Sequence, residues 1–220
     1  MATAPDRGHD LIDALIRGGE KAVNDFSCIS GGEWFDEAPE YFLTTYVASG
    51  LKNFEKTNLL LEVSVNQCRR EAGAIRRGRP AKAERRNGRY DVVAYWANGL
   101  PRGAIEVKSP IWVNDRAQLL PDFTRLCLTL NANQNGTFQF CAFVFYASVP
   151  KPEQGYDNAS QRLRNLVSRI EGTALDVAKV NGVRRTMRAG AIRRGKNDGD
   201  GAWCIGCIIF SNKGGENGFR

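Results

Sequence analysis

The chain has 220 residues, 42% of them hydrophobic, which is enough to bury one substantial core and gives no length argument for two. Lys and Arg outnumber Asp and Glu by 31 to 24, a formal charge of +7 that favours a polyanionic partner, nucleic acid first. His9 is the only histidine, which excludes an HNH-type nuclease, a Ser-His-Asp hydrolase or a histidine-rich zinc centre within one chain; any hydrolysis must use carboxylates, lysine and a hard cation.

No apolar run reaches the roughly 20 residues a membrane span needs, and charges interrupt the N-terminal stretch where a signal core would lie, so no membrane contact and a cytoplasmic setting are expected. The cysteines at 28, 68, 127, 141, 204 and 207 read as buried free thiols of a reducing compartment. Cys204 and Cys207 lie three apart in a strand-like run and so point to opposite faces, which argues against a metal or redox pair.

After a disordered start to about Arg7, the apolar positions Leu11, Ile12, Leu15, Ile16, Ala22, Val23 and Phe26 predict helix, with Gly18-Gly19 splitting it into two short pieces. A second helix is expected from Pro39, a residue suited to the first helical position. Glu40, Leu43, Thr44, Val47 and Leu51 share one of its faces, so a carboxylate heads an apolar stripe. Taken alone, Glu40 complements the helix N-terminus; Glu37 and Glu33 leave that face. Residues 58–65 predict a strand with Leu59, Leu61, Val63 and Val65 on one side and Glu62 on the other, although a helix through Cys68 competes. The stretch 75–89 carries seven basic residues against one acid, with Gly78, Pro80 and Gly88 as breakers. It reads as a basic loop whose Arg76, Arg77, Arg79, Arg85 and Arg86 contact a DNA backbone.

That loop leads into two β-prone runs, Tyr90 to Trp96 and Gly103 to Lys108, flanking Asn98-Gly99, a pair suited to a two-residue type I′ turn. The resulting register sets Tyr95 against Arg102 and Asp91 against Glu106. Facing side chains in such a ladder start about 5 Å apart, so the two acids repel unless something positive lies between them. Lys108, two residues beyond Glu106, shares its face, while Ile105 and Val107 take the other.

Ser109-Pro110 is expected to end that strand. A helix follows in which Pro121 is either the start or a kink, with Phe123, Leu126, Cys127 and Leu130 buried and Asp122 and Arg125 paired at the surface. The nearly continuous apolar run 138–149 predicts a strand covered on both faces, joined to the previous one by a parallel crossover. Ser160 is the expected cap of a helix carrying Leu163, Leu166, Val167, Ile170, Ala174, Val177 and Ala178 on one stripe. A second basic, glycine-broken segment, a final strand at 202–210 and a mobile tail from Lys213 complete the chain.

Asp91, fourteen residues, then Glu106-Val107-Lys108 on one hairpin resembles the PD-(D/E)xK, or restriction-endonuclease-like, nucleases. Tyr90 stands where many relatives have proline. The resemblance implies an α/β fold with an αβββαβ core: a helix from Pro39, strands at 58, 90 and 103, a helix near Asp122 and a strand at 138. It implies one domain with an N-terminal helical extension (1–32), a core (33–150) and a C-terminal helix and strand (151–220). It implies further that Asp91, Glu106 and the Val107 carbonyl hold Mg²⁺ or Mn²⁺, that Lys108 serves the attacking water and the phosphate, and that Glu40 holds a metal-bound water or a second ion. Gln118 and Arg125, on the helix after the E-x-K strand, are implied contacts to substrate or metal. The expected activity is endonucleolytic cleavage of DNA, in restriction, phage defence or repair, with RNA left open. Because cutting a duplex on both strands calls for two active sites, a homo-oligomer is expected. A basic scaffold on the same fold that binds nucleic acid without cutting it is the alternative.

Overall fold

Helix α1 (Arg7–Ile29) runs unbroken through Gly18-Gly19 against the expected split. The glycines serve close approach: a Cβ on Gly18 would lie 2.6 Å from the Tyr46 carbonyl oxygen, one on Gly50 2.6 Å from that of Ala14, and one on Gly19 2.8 Å from the Ile205 side chain. The missing side chains let α1 pack directly on α2 (Glu40–Glu55) and on the sheet. These relations come from a computed structural model that describes residues 7–55, 58–74, 87–113, 116–132, 136–150, 158–194 and 201–212.

The remaining elements are β1 (Asn58–Ser64), α3 (Val65–Glu71), β2 (Arg89–Tyr95), β3 (Pro101–Ile111), α4 (Arg116–Leu130), β4 (Phe140–Val149), α5 (Ala159–Asn181), β5 (Arg184–Ala189), β6 (Arg193–Arg194) and β7 (Ala202–Ser211). They build an α/β molecule on a mixed sheet of seven strands in the order β1-β2-β3-β4-β7-β5, with β6 also paired to β7. Only β3 and β4 run parallel, joined through α4; the other pairs are antiparallel. One sheet face packs against α1 and α2, the other against α4 and α5. Every residue of β4 is buried, as expected of a strand covered on both sides. Cys204 and Cys207 go to opposite faces, and all the cysteines are free; Cys28 is exposed rather than buried.

Several boundaries differ from the sequence reading for local reasons. The competing assignments at 58–68 both hold in succession: β1 ends at Ser64, whose hydroxyl accepts from the Gln67 N–H and so caps α3. β3 continues past Ser109-Pro110 to Ile111, with a register shift against β4 between Lys108 and Ile111. Pro121 lies inside α4. Asn158, not Ser160, caps α5, accepting from the Gln161 N–H, and Ser160 is buried within the helix. The second basic segment contains β5 and β6, arginine-rich runs in which Met187 is the one apolar side chain packed on the core, so no hydrophobic periodicity announces them. The first six residues, residues 75–86 of the basic stretch and those from 213 on lie outside the described residues. Among the described residues, no helix is long and apolar enough to cross a membrane.

Candidate active site

The hairpin reverses differently from expectation, yet brings the same residues into step. Trp96 N–H bonds the Leu100 carbonyl at 2.8 Å and Gly99 N–H bonds that of Trp96 at 2.9 Å, so the loop is Ala97-Asn98-Gly99. Only Gly99 takes a positive φ, +79°, whereas a type I′ turn needs one at Asn98 too. The ladder therefore starts one residue out, with Tyr95 opposite Pro101. Arg102 is then the extra residue of a bulge, and from Ala94–Gly103 through Val92–Ile105 the register is the expected one. Asp91 and Glu106 stand one step beyond the last of these pairs.

At that step the strands turn over. Leu59 and Leu61 of β1 join the core under α1 and α2, but Val63 joins the opposite one; on β2, Val92 and Ala94 face α1 and α2 while Tyr90 faces α4. The switch falls at Glu62 and Asp91, the rung omitted between Leu61–Val92 and Val63–Tyr90. Glu62 makes its half of it at φ +55°, the only positive φ on a non-glycine residue among the described residues. Expected on a regular strand, Val63 and Val65 thus change sides. At the switch the Asp91 carboxylate accepts the Val107 backbone N–H through Oδ2 at 2.6 Å.

Glu106, on β3, is 5% exposed and its Oε2 lies 2.6 Å from Nη2 of Arg125 on α4. The same nitrogen lies 3.2 Å from Asp122 Oδ1, and Oε1 of Glu106 is buried with no hydrogen-bond partner. Arg125 is itself 6% exposed, its guanidinium 5.9 Å from the centre of the Tyr90 ring. The expected surface pair with Asp122 is therefore an internal one, and a direct contact from Arg125 to nucleic acid is corrected to a buried tie on Glu106. Here is the cation the facing acids required; Lys108 does not fill that role.

Lys108 Nζ instead lies 3.3 Å from Glu40 Oε2, both side chains 37% exposed. The same oxygen accepts the Ser109 N–H at 2.9 Å, so Glu40 fastens the start of α2 to β3 rather than merely complementing its own helix. Gln118 is exposed on the first turn of α4. Arg76, Arg77, Arg79, Arg85 and Arg86 lie outside the described residues.

Electrostatics bind these groups together. Burial pushes the Asp91 carboxyl up to about 6; the Val107 N–H opposes this, while the negative Glu40 and Glu62 add to it. Burial likewise raises Glu106 well above the ordinary carboxylate range, against the attraction of Arg125 and with repulsion from Asp91 and Asp122. A carboxylate in such surroundings gains from any added positive charge, a proton or a cation. No group of three or more His, Cys, Asp or Glu side chains placed to share a metal ion occurs among the described residues. Asp91 and the unbonded Glu106 Oε1 could hold a cation as a pair; of Val107, the third expected ligand, the backbone N–H is the group that meets Asp91. Glu62 stands out in the sequence only as a carboxylate on the far side of its strand that could be mistaken for the active one; its approach to Asp91 has no sequence signature, because it depends on a glutamate in left-handed backbone. Comparison with family models, curated proteins and solved structures gives no significant match.

Proposed function

We propose that this chain is a metal-dependent endonuclease of the PD-(D/E)xK type that hydrolyses phosphodiester bonds in DNA. One observation carries the reading: Asp91, Glu106, Lys108 and Glu40, from two strands and a helix, are linked through direct bonds and mutual repulsion around one step of the β2–β3 hairpin. From α2 to β4 the elements run helix, strand, the short helix α3, two antiparallel strands, helix and parallel strand, which supports the reading as the implied αβββαβ order with one helix inserted after the first strand. The orphaned Oε1 of Glu106 supports Mg²⁺ or Mn²⁺ as the cofactor, since an unbonded carboxylate oxygen in the interior is costly without a partner. When bound, the cation neutralises charge on the phosphate and makes a water more acidic.

The chain's own residues do the rest. Val107 N–H fixes one Asp91 oxygen and Arg125 fixes one Glu106 oxygen, so each acid presents its other oxygen in a set direction. Lys108, tethered loosely to Glu40 and reachable from solvent, meets the phosphate and steadies the charge that develops there. Glu40 orients that lysine and keeps β3 in place through Ser109. A homo-oligomer in which two such sites cut the two strands fits the reading.

Plasmid and linear DNA, with RNA alongside, incubated with Mg²⁺, Mn²⁺ or EDTA test it. Cleavage that EDTA abolishes and that Asp91→Ala and Lys108→Ala each lower at least a hundredfold supports the enzyme, about the scale of losing one electrostatic group in a hydrolytic site. The second reading, a basic scaffold that binds nucleic acid without cutting, draws on the commitment of Glu106 to Arg125. Binding without cleavage under every metal selects it.

A further inference from the structure

At the end of the sheet toward which β3 runs, the registers set four strands side by side. Ile111 pairs with Ala147 and Ala147 with Cys204; the next row joins Ser148, Trp203 and Arg193, and the one after it Val149, Ala202 and Arg194. Trp112, one residue past Ile111, comes level with Ser148, and the two meet on one atom. The indole N–H at 2.6 Å and the Ser148 hydroxyl at 2.8 Å both donate to Asp36 Oδ2.

Ser148 is 1% exposed, whereas Trp112 keeps 56% of its surface in water. Tryptophan is on average among the more buried residues, and a buried one seeks a partner for its N–H. Here that bond is made while the ring stays out. The ring is therefore held at a fixed place on the rim without the burial that packing would give it. Arg193 is exposed on the same rim and shares the row and sheet face of Ser148 and Trp203, whereas Arg194 turns to the other face, where its Nε donates to the Ser160 hydroxyl of α5 at 3.2 Å. Three strand spacings of roughly 4.8 Å, from β3 through β4 and β7 to β6, set Arg193 about 14 Å from the Trp112 strand. Lys108 lies four residues before Trp112 on the same segment.

We propose that this rim is a nucleic-acid interface that takes an unpaired strand, one base stacked on Trp112 and a phosphate on Arg193. The inference rests on the nuclease reading for why a strand should pass Lys108. A duplex keeps its bases stacked on one another and offers an indole no inner face; an unpaired strand does. Stacking of this kind tolerates any base, and an arginine on the backbone adds no sequence preference, so the interface selects for strand state and not for sequence.

The test is fluorescence anisotropy in EDTA with a labelled deoxyoligonucleotide, single-stranded or annealed to its complement. The wild type binds the single strand more tightly than the duplex. Trp112→Ala weakens single-strand binding about tenfold, within the range of base–aromatic stacking, while Trp112→Phe, which keeps a ring, retains most of the affinity. Arg193→Ala lowers the slope of log K against log salt by about 0.7, the value for one phosphate contact on a single strand, and Arg194→Ala, on the other face, leaves it unchanged. All three positions are exposed, and matching thermal melts confirm that the variants fold. Equal binding by wild type, Trp112→Ala and Arg193→Ala overturns the proposal, as does a wild-type preference for duplex. Cleavage assays on the same samples separate the two readings: Trp112-dependent binding without metal-dependent cleavage removes the nuclease and leaves the rim, and cleavage with Trp112-independent binding does the reverse.

Discussion

Replacing Asp91 by asparagine should stabilise the metal-free protein at alkaline pH. The folded-state carboxyl titrates at about 6 against 3.8 for a free aspartate, because burial disfavours its charge. A raised acid binds its proton more tightly in the folded chain, so its contribution to stability is most favourable below pH 3.8 and is lost as pH rises through 6. About two pKa units at 1.36 kcal/mol each set a ceiling of about 3 kcal/mol lost by pH 8. At pH 4 the same calculation leaves only about 0.5 kcal/mol. The asparagine side chain removes the charge yet keeps an oxygen for the Val107 N–H. For a chain of 220 residues, about 3 kcal/mol raises Tm by roughly 6–12 °C. Thermal unfolding of both proteins in EDTA at pH 8 and pH 4 measures it. A variant less stable than wild type at pH 8, or a difference that does not change with pH, refutes the reasoning.

Arg125→Met leaves Glu106 and Asp122 without their shared cation in the interior, a change expected to cost about 3–5 kcal/mol in urea unfolding; adding Glu106→Gln should recover a large part of it. Glu40→Gln breaks only a pair that is 37% exposed on both sides and keeps an acceptor for Ser109 N–H, so stability should change by less than about 1 kcal/mol while cleavage falls at least tenfold. Gly18→Ala drives a methyl group into the Tyr46 backbone and should destabilise by about 1–3 kcal/mol. Gly172→Ala, in α5 with open space around it, should stabilise by about 0.5–1 kcal/mol. Equal melting points for these two alanine variants would remove close packing as the reason α1 carries glycine.

The elements with strong periodicity were legible before any coordinates. The apolar run at 138–149, the stripe Leu163–Leu166–Ile170–Ala174–Val177 and the alternation of Ile105 and Val107 with Glu106 each imply one burial pattern, and the molecule adopts it. The Asp91–Glu106 step was legible for a different reason: two deviations compensate, since the three-residue loop shifts the ladder by one and the Arg102 bulge shifts it back. Illegible was whatever tertiary packing decides. Gly18-Gly19 has the composition of a helix break and is instead a contact point between helices. Asp122 and Arg125, three apart on one helix, have the spacing of a surface pair, and nothing local reveals that Glu106 approaches them across the layer. The turnover at Glu62 and Asp91 requires a left-handed glutamate, which local propensity argues against.

In the proposed nuclease, Asp91 and Glu106 together hold a divalent cation beside Lys108. Anomalous diffraction from a crystal soaked in Mn²⁺ tests this. The expected result is a peak bridging Asp91 and the Oε1 of Glu106 that is absent from the Asp91→Asn protein. A fully soaked crystal with no manganese between those two carboxylates, and with manganese bound elsewhere on the chain, contradicts it.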